Sequence, residues 1–287
     1  MSARLFQKSD YNVSKLTTIV EDFDLLDHEA LDDKPEPAKA SSSKVKFLDT
    51  KPKVVEFLES IRVISSTTPY LYIDIEGIEL SRHGNISILE VYVLPAGKTY
   101  LLDIYTLQEK AFSTLDSRET TLKRILESNE IKKVFFDVRN DSDALFAHYG
   151  IHLAGIHDLQ SMELVTRSYS KKFVTGLGKG IETDAPITPT ERLDWTRAKE
   201  RGRELFAPEC GGKYEVFNNR PLSQDILQYC CQDVEFLPTL WKTYDDKMTS
   251  KKRECVVKES IRRVNLSHMP NYDGKGRSRA LAPFCFV

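Results

Sequence analysis

Between Tyr70 and Tyr105 the chain passes through three strand-like stretches in succession, and this run restricts the fold more than any other part of the sequence. "YLYIDIEG", "NISILEVYVL" and "KTYLLDIY" are dense in aliphatic, β-branched and aromatic residues, which suit a pleated, half-buried surface. Pro95-Ala96-Gly97-Lys98 separates the second from the third as a hairpin turn. A fourth strand, "KKVFFD" (Lys132 to Asp137), comes only after a helical stretch, "SRETTLKRILESN", with Leu122, Ile125 and Leu126 facing inward. Upstream, "TKPKVVEFLESI" places Val54, Val55, Phe57, Leu58 and Ile61 at helical spacing. Downstream, "NDSDALFAHYG" reads as a helix with Asn140 or Asp141 as N-cap and Gly150 as its stop. "IHDLQSMELVTRS" gives a short strand and a helix, and "RPLSQDILQYCCQDVEFLPTLWKTYDD" a long helix with Pro221 just before it. Three consecutive strands followed by alternating helices and strands specify an α/β fold with a mixed sheet.

The first strand carries an oddity. Leu71, Ile73 and Ile75 fall on one side, Asp74 and Glu76 on the other, because residues two apart in an extended chain share a face. Each acid raises the electrostatic cost of ionising its neighbour. Such a pair, flanked by apolar residues, calls for a cation or a solvated edge.

Bulk properties narrow the choice of partner. The chain has 287 residues and a net charge of -2, so nothing global draws it to nucleic acid or membrane, and such a partner must be met by a local patch. Five cysteines, Cys210, Cys230, Cys231, Cys255 and Cys285, include no CxxC pair. An odd number with that spacing speaks against a disulfide framework or zinc cluster and for a reducing compartment. No apolar run is long enough to span a bilayer, and the first residues lack a signal peptide's apolar core. An intracellular location is expected, nuclear or cytoplasmic, with Arg4, Lys8 and Lys15 leaving a weak mitochondrial address open. Residues 1–45 read as a poorly ordered segment: "DHEALDDKPEPAKASSSK" has no hydrophobic period, while "LTTIVEDFDLL" before it could form a short helix or docking peptide. The domain is expected over 46–249, with an irregular insert at 171–216 and a basic extension at 250–287.

Two further acidic positions join Asp74 and Glu76. Asp141 stands where the fourth strand has given way to a helix, and Asp233 lies four residues after Tyr229 in the long helix, so Tyr229 and Asp233 share a face. Taken singly, each has an ordinary explanation: a solvated strand edge, an N-cap, a core tyrosine, a surface acid. Taken together they supply the hard oxygen ligands that Mg²⁺ or Mn²⁺ requires. Two such ions ~4 Å apart can hold the attacking and leaving oxygens of an in-line phosphoryl displacement.

In this combination the chain resembles the DEDD-type 3′–5′ exonuclease domains of the ribonuclease D and Werner-type group. "YIDIEG" is similar to their first motif, "KKVFFDVRNDSDAL" to the second with Asp141 as its acid, and "YCCQD" to the third. The connecting phrases "ISILEVYV", "IHDLQSMELV" and "NNRPLSQDILQYCCQDV" agree in order and spacing, and the likeness covers about residues 46–246. Asp-x-Glu alone is a weak signal; the ordered set of three is a strong one. Gln228 stands where the histidine branch of that superfamily has its histidine, and Tyr229 marks the tyrosine branch. The wording around the first motif most resembles exonuclease-domain proteins of fungi and plants.

The resemblance implies a ribonuclease H-like fold with five or six strands flanked by helices. It implies two ions, Mg²⁺ or Mn²⁺, the first held by Asp74, Glu76 and Asp233, the second by Asp74 and Asp141. Tyr229 would align the attacking water; a phenol with an ordinary pKa of ~10 is a poor base at neutral pH. The substrate would be the 3′ end of single-stranded nucleic acid, RNA or DNA, and the products nucleoside 5′-monophosphates. No membrane partner is implied. The alternative is a catalytically silent binding scaffold, a state usually reached by losing motif acids, all of which are present here. A helicase-coupled enzyme would need a phosphate-binding loop, and "GLGKG" is too short for one.

Three departures from the family pattern stand out. Gly77 replaces the aromatic residue that often follows the motif Glu, Asp137 falls where a histidine is common, and the 171–216 connection is long. Asp137 could be an extra ligand, with a strand-end acid facing solvent as the expected reading. Lys171, Lys172, Arg197, Lys199, Arg201 and Arg203 could line a backbone channel, with a solvated helix face as the default.

Overall fold

Six strands form one mixed sheet: β1 (Val45–Leu48), β2 (Leu71–Glu76), β3 (Ile88–Val93), β4 (Lys98–Asp103), β5 (Lys133–Phe135) and β6 (Ile156–Asp158). The computed structural model describes residues 44–61, 68–283 and 286, all within a compact unit spanning Ser42–Val287. The stretch Leu16–Leu26 and most of the acidic and Pro-Ala-Ser-rich segment after it lie outside the described residues. Strand order is β1-β4-β3-β2-β5-β6. β2, β3 and β4 form the antiparallel meander expected from their succession. The turn between β3 and β4 carries Gly97 at φ 58°, a left-handed conformation that glycine adopts without steric cost. β5 pairs parallel with β2, and β6 with β5. β1, which has no counterpart in the sequence reading, pairs parallel with β4.

Ten helices flank the sheet among the described residues. α1 (Lys51–Ser60), α2 (Ile104–Leu107), α3 (Lys110–Ser113), α4 (Leu122–Glu127) and α5 (Arg139–Tyr149) precede β6. After it come α6 (Leu159–Thr166), α7 (Leu177–Asp184), α8 (Pro189–Phe206), α9 (Gln224–Asp245) and α10 (Ser250–Ser267). The period of two along β2 divides the core. Leu71, Ile73 and Ile75 join Val54, Phe57 and Leu58 of α1 and the apolar faces of α4 and α5 in one cluster. Tyr72, on the other face, joins Leu159 and Met162 of α6 and Val234 and Leu237 of α9 in a second. Each such side chain contributes about 1.5–3 kcal/mol by leaving water.

Residues 171–216 are more regular than their composition suggests, because they hold α7 and the 18-residue α8. α8 starts in a capping box of Thr188 and Glu191 with Pro189 at its first position, and only a narrow stripe, Trp195, Ala198 and Gly202, is buried. That stripe is too thin to register as a hydrophobic period. Residues 250–287 include α10, whose Val256, Ser260, Arg263, Val264 and Ser267 are buried against α5, α6 and β6. Arg263 is 1% exposed and donates to Asp158 at 3.0 Å. Asp158 also accepts from the backbone N–H groups of Val138 at 3.2 Å and Gln160 at 3.0 Å. One buried carboxylate thereby ties α10 to the turn that opens α5 and to the first turn of α6.

Candidate active site

Pairing between β2 and β5 stops at Tyr72↔Val134, two residues before Asp74. β5 then turns away into α5, leaving Asp74 and Glu76 at the carboxyl end of a central strand. In open α/β sheets that divergence is where ligands are received. Asp141 enters from α5, but not as its cap: the capping position is Val138, without a side-chain bond, and Asp141 is the third helical residue. A first-turn carboxylate is favoured by the helix dipole. α9 crosses β2, β3 and β4 on the face that bears the acids and carries Tyr229 and Asp233 one turn apart, both buried.

The electrostatics record this convergence. Burial, then the charge of Asp233, pushes the Asp74 carboxyl up to about 7. Burial, then Asp74, pushes Glu76 up to about 8, while the Tyr229 hydroxyl draws it back by hydrogen bonding. Asp141 is driven well above the carboxylate range by burial and by Asp74, Asp137 and Glu76. Burial and the charges of Glu76, Asp233 and Asp74 raise Tyr229 far above an ordinary phenol. The five residues singled out in the sequence thus act on one another in space.

Three further residues belong to the same locality. Glu90 of β3 lies directly opposite Asp74 in the ladder, on the same face of the sheet, and is 1% exposed. Burial and the charges of Asp74 and Glu76 hold its carboxyl well above the usual range, and the Cys230 thiol is its hydrogen-bonding neighbour. Lys199 of α8 pairs with Asp233, and its ammonium lies 4.2 Å from the centroid of the Tyr229 ring. Gly202, one turn on, packs against that ring. Lys199 therefore does not lie on a solvated face. Its position between Trp195, Ala198 and Gly202 on the buried stripe of α8 was the available signal.

The donor set fits a hard divalent cation by its chemistry, and Asp233 Oδ1 is buried without a hydrogen-bond partner. Among the described residues no group of three or more His, Cys, Asp or Glu side chains stands in ligating geometry as it is. Instead, the Lys199 ammonium pairs with Asp233 and lies within the field of Asp74 and Glu76.

Asp137 is not a solvent-facing acid. It adopts φ 63°, and its oxygens accept from Arg139 at 2.5 and 2.8 Å and from Arg279 at 2.8 Å, with Arg263 3.6 Å away. Burial alone would raise its carboxyl; the arginines outweigh that and lower it. Its pairing with Arg279 anchors the C-terminal segment. Gly77 also has a local reason. A Cβ there would stand 3.0 Å from the Asn85 carbonyl carbon and 3.1 Å from Ile86 Cα, so the loop folds back over the place a side chain would occupy. Of the other basic residues of the insert, Arg201 is engaged with Asp225 at 3.1 Å and Gln228 at 3.0 Å, and Lys171 donates to the Val165 carbonyl.

Residues 48–179 match the family model described as 3′–5′ exonuclease. This range contains Asp74, Glu76 and Asp141 and ends before Tyr229 and Asp233. The chain is 28% identical over 180 residues to the human piRNA biogenesis protein EXD1, covering 61% of this chain and 32% of that protein. It spans about a third of the length of this relative. Among solved structures it is similar to Trypanosoma brucei RNase D in its GMP complex, at 22% identity and a TM-score of 0.65, covering 84% of this chain and 70% of that one. The same enzyme with RNA U12 gives a TM-score of 0.63 at 20% identity, covering 84% and 77%. Brucella melitensis NrnC with bound Mg²⁺ follows at 17% identity and 0.51, covering 82% and 99%. No helix among the described residues is long and apolar enough to cross a membrane. With its six-stranded mixed sheet the chain carries the ribonuclease H-like fold seen in ribonuclease D, and its residues 48–179 match the model of a 3′–5′ exonuclease domain.

Proposed function

We propose that this chain is a divalent-metal-dependent 3′–5′ exonuclease that shortens single-stranded nucleic acid, RNA foremost, to nucleoside 5′-monophosphates. The observation that carries this reading is the convergence of Asp74, Glu76, Asp141 and Asp233 with Tyr229 in one half-buried cluster whose acids disfavour one another's ionisation. Such a cluster is poorly satisfied without cations. RNA is favoured because RNase D is known bound to RNA and the curated relatives are named for piRNA biogenesis.

Asp74, Glu76 and Asp233 would hold a first ion, and Asp74 and Asp141 a second. Ions bound there would acidify a water and offset the charge that develops on the phosphate oxygens. Tyr229 stays a neutral phenol across the working pH range, since its surroundings push its ionisation far up. It therefore orients a water by hydrogen bonding and does not deprotonate it. The buried stripe of α8 fixes the ring from one side, and the rigid helix α9 fixes its offset from Asp233.

The test is a ladder assay on 5′-labelled single-stranded RNA and DNA with Mg²⁺ or Mn²⁺, and with chelator as control. Stepwise shortening of RNA from the 3′ end, abolished in Asp74→Asn, is expected. A purified wild-type protein that binds the strands and leaves them intact with either metal would instead support the scaffold reading, which the Lys199–Asp233 ion pair favours.

A further inference from the structure

We infer that Lys199 is the resident counter-ion of the carboxylate cluster and that a divalent cation must displace it from Asp233. This rests on the metal-site reading above. Four observations support it. The Lys199 ammonium pairs with Asp233 Oδ2, one of the oxygens assigned to the first ion. It stacks over the Tyr229 ring at 4.2 Å, a favourable seat for a cation. Its field also reaches Asp74 and Glu76, and lowers the cost of ionising both. Finally, Asp233 Oδ1 is left buried and without a partner, so one ammonium leaves the cluster half satisfied.

Both the ammonium and a divalent ion are drawn to the Asp233 carboxylate, whose Oδ2 Lys199 already holds. A single positive charge against several carboxylates in a half-buried site is a weaker match than a doubly charged ion. The exchange is therefore favoured once metal is present, but the metal must first break a close ion pair. Lys199 is anchored on α8, whose Gly202 packs on Tyr229. Displacement is a side-chain movement of a flexible four-carbon stem that leaves Tyr229 seated. Lys199 remains 22% exposed, so its ammonium has an outlet to water or to a substrate phosphate at the mouth of the cluster. Lys199 thus competes with the metal for Asp233 and sets the metal concentration at which the site fills.

The experiment is calorimetric titration of Mn²⁺ into the full chain without substrate, comparing wild type, Lys199→Met and Lys199→Arg. Lys199→Met is expected to bind Mn²⁺ at least tenfold more tightly than wild type. Lys199→Arg, which keeps a cation, is expected to bind no more tightly. Equal or weaker binding by a folded Lys199→Met overturns the inference and leaves the metal reading standing. Absence of Mn²⁺ binding in all three overturns the metal reading and this inference with it. A second measurement does not need Lys199→Met to fold. The ¹³Cε resonance of Lys199, assigned by its loss in Lys199→Arg, should move as Mg²⁺ saturates the site. An unmoved resonance at saturation also overturns the displacement.

Discussion

Gly202 of α8 lies against the face of Tyr229, so close that a Cβ there would fall 2.7 Å from Tyr229 Cγ and 2.9 Å from Tyr229 Cβ. The contact joins the long insert to the reactive end of α9. Gly202→Ala should displace the Tyr229 ring and lower turnover by ten-fold or more, with an overpacking cost of about 1–3 kcal/mol. Single-turnover cleavage and a thermal melt measure the two effects. Unchanged turnover would show that Tyr229 does not need its seat on α8.

Tyr229→Phe separates alignment from packing. The ring keeps its contacts with Phe206 and Phe217, and only the hydroxyl facing Glu76 is lost. If that hydroxyl orients the attacking water, kcat should fall ~10²-fold with KM nearly unchanged. A raised KM at unchanged kcat would make Tyr229 a substrate contact instead.

In the metal-free protein, Asp74 and Glu76 should contribute a loss of stability between pH 5 and pH 8. Asp74 and Glu76 titrate near 7 and 8 in the fold, but near ~4 when unfolded. Between those values the folded state binds more protons, so stability falls as pH rises through the folded pKa and levels off above it. Each pH unit of displacement is worth about 1.4 kcal/mol, and with partial exposure the total is roughly 2–4 kcal/mol. Asp103 and Asp137 are lowered, so their contribution is lost below this window and does not mask it. Asp74→Asn should flatten the decline and be no less stable than wild type at pH 8. His157, held down to about 4, and Lys133, held down to about 7, add a rise of their own in this window. The check is therefore the difference between wild-type and Asp74→Asn melts in chelator across pH, and parallel profiles would contradict the coupling of the acids.

Glu90→Gln should be almost silent. Burial and the charges of Asp74 and Glu76 push the Glu90 carboxyl well above the usual carboxylate range and so favour its neutral form, whose shape glutamine reproduces. Stability should change by less than about 1 kcal/mol, with activity within a factor of about three. A large loss of Mn²⁺ affinity would identify Glu90 as a further ligand.

Truncation after Met248 should unfold the protein or lower its Tm by roughly 10 °C, because it strands Asp158 without Arg263. Breaking one buried ion pair costs about 3–5 kcal/mol, and each kcal/mol is worth about 2–4 °C at this size. The role of the basic C-terminal residues in substrate capture is better read from exposed positions. Exchanging Lys275 and Arg277 for Ser should weaken binding to all sequences alike and reduce the salt slope by about 1.4 if both grip phosphates. An unchanged slope in a variant that melts normally would remove them from the interface.

The amino-acid sequence by itself determined the meander, the central helices and the five clustered residues. The elements and the two acid-bearing pairs rest on a local period, and Asp141 on the resemblance of its motif. Asp74 and Glu76 share a strand face because they are two residues apart, and Tyr229 and Asp233 share a helix face because they are four apart. What the tertiary structure decided depends on company, not on period. β1 exists as a strand because β4 offers it an edge. Asp137 points inward because Arg139 and Arg279 approach it from α5 and from the C-terminal segment. Glu90 reads as one more residue of an apolar strand until the ladder sets it opposite Asp74. Lys199 lies on a helix too charged to show a hydrophobic period, yet three small or aromatic neighbours bury that side of α8 and carry the ammonium to Asp233. Charge and spacing name the groups that want a cation. Only packing decides which cation reaches them.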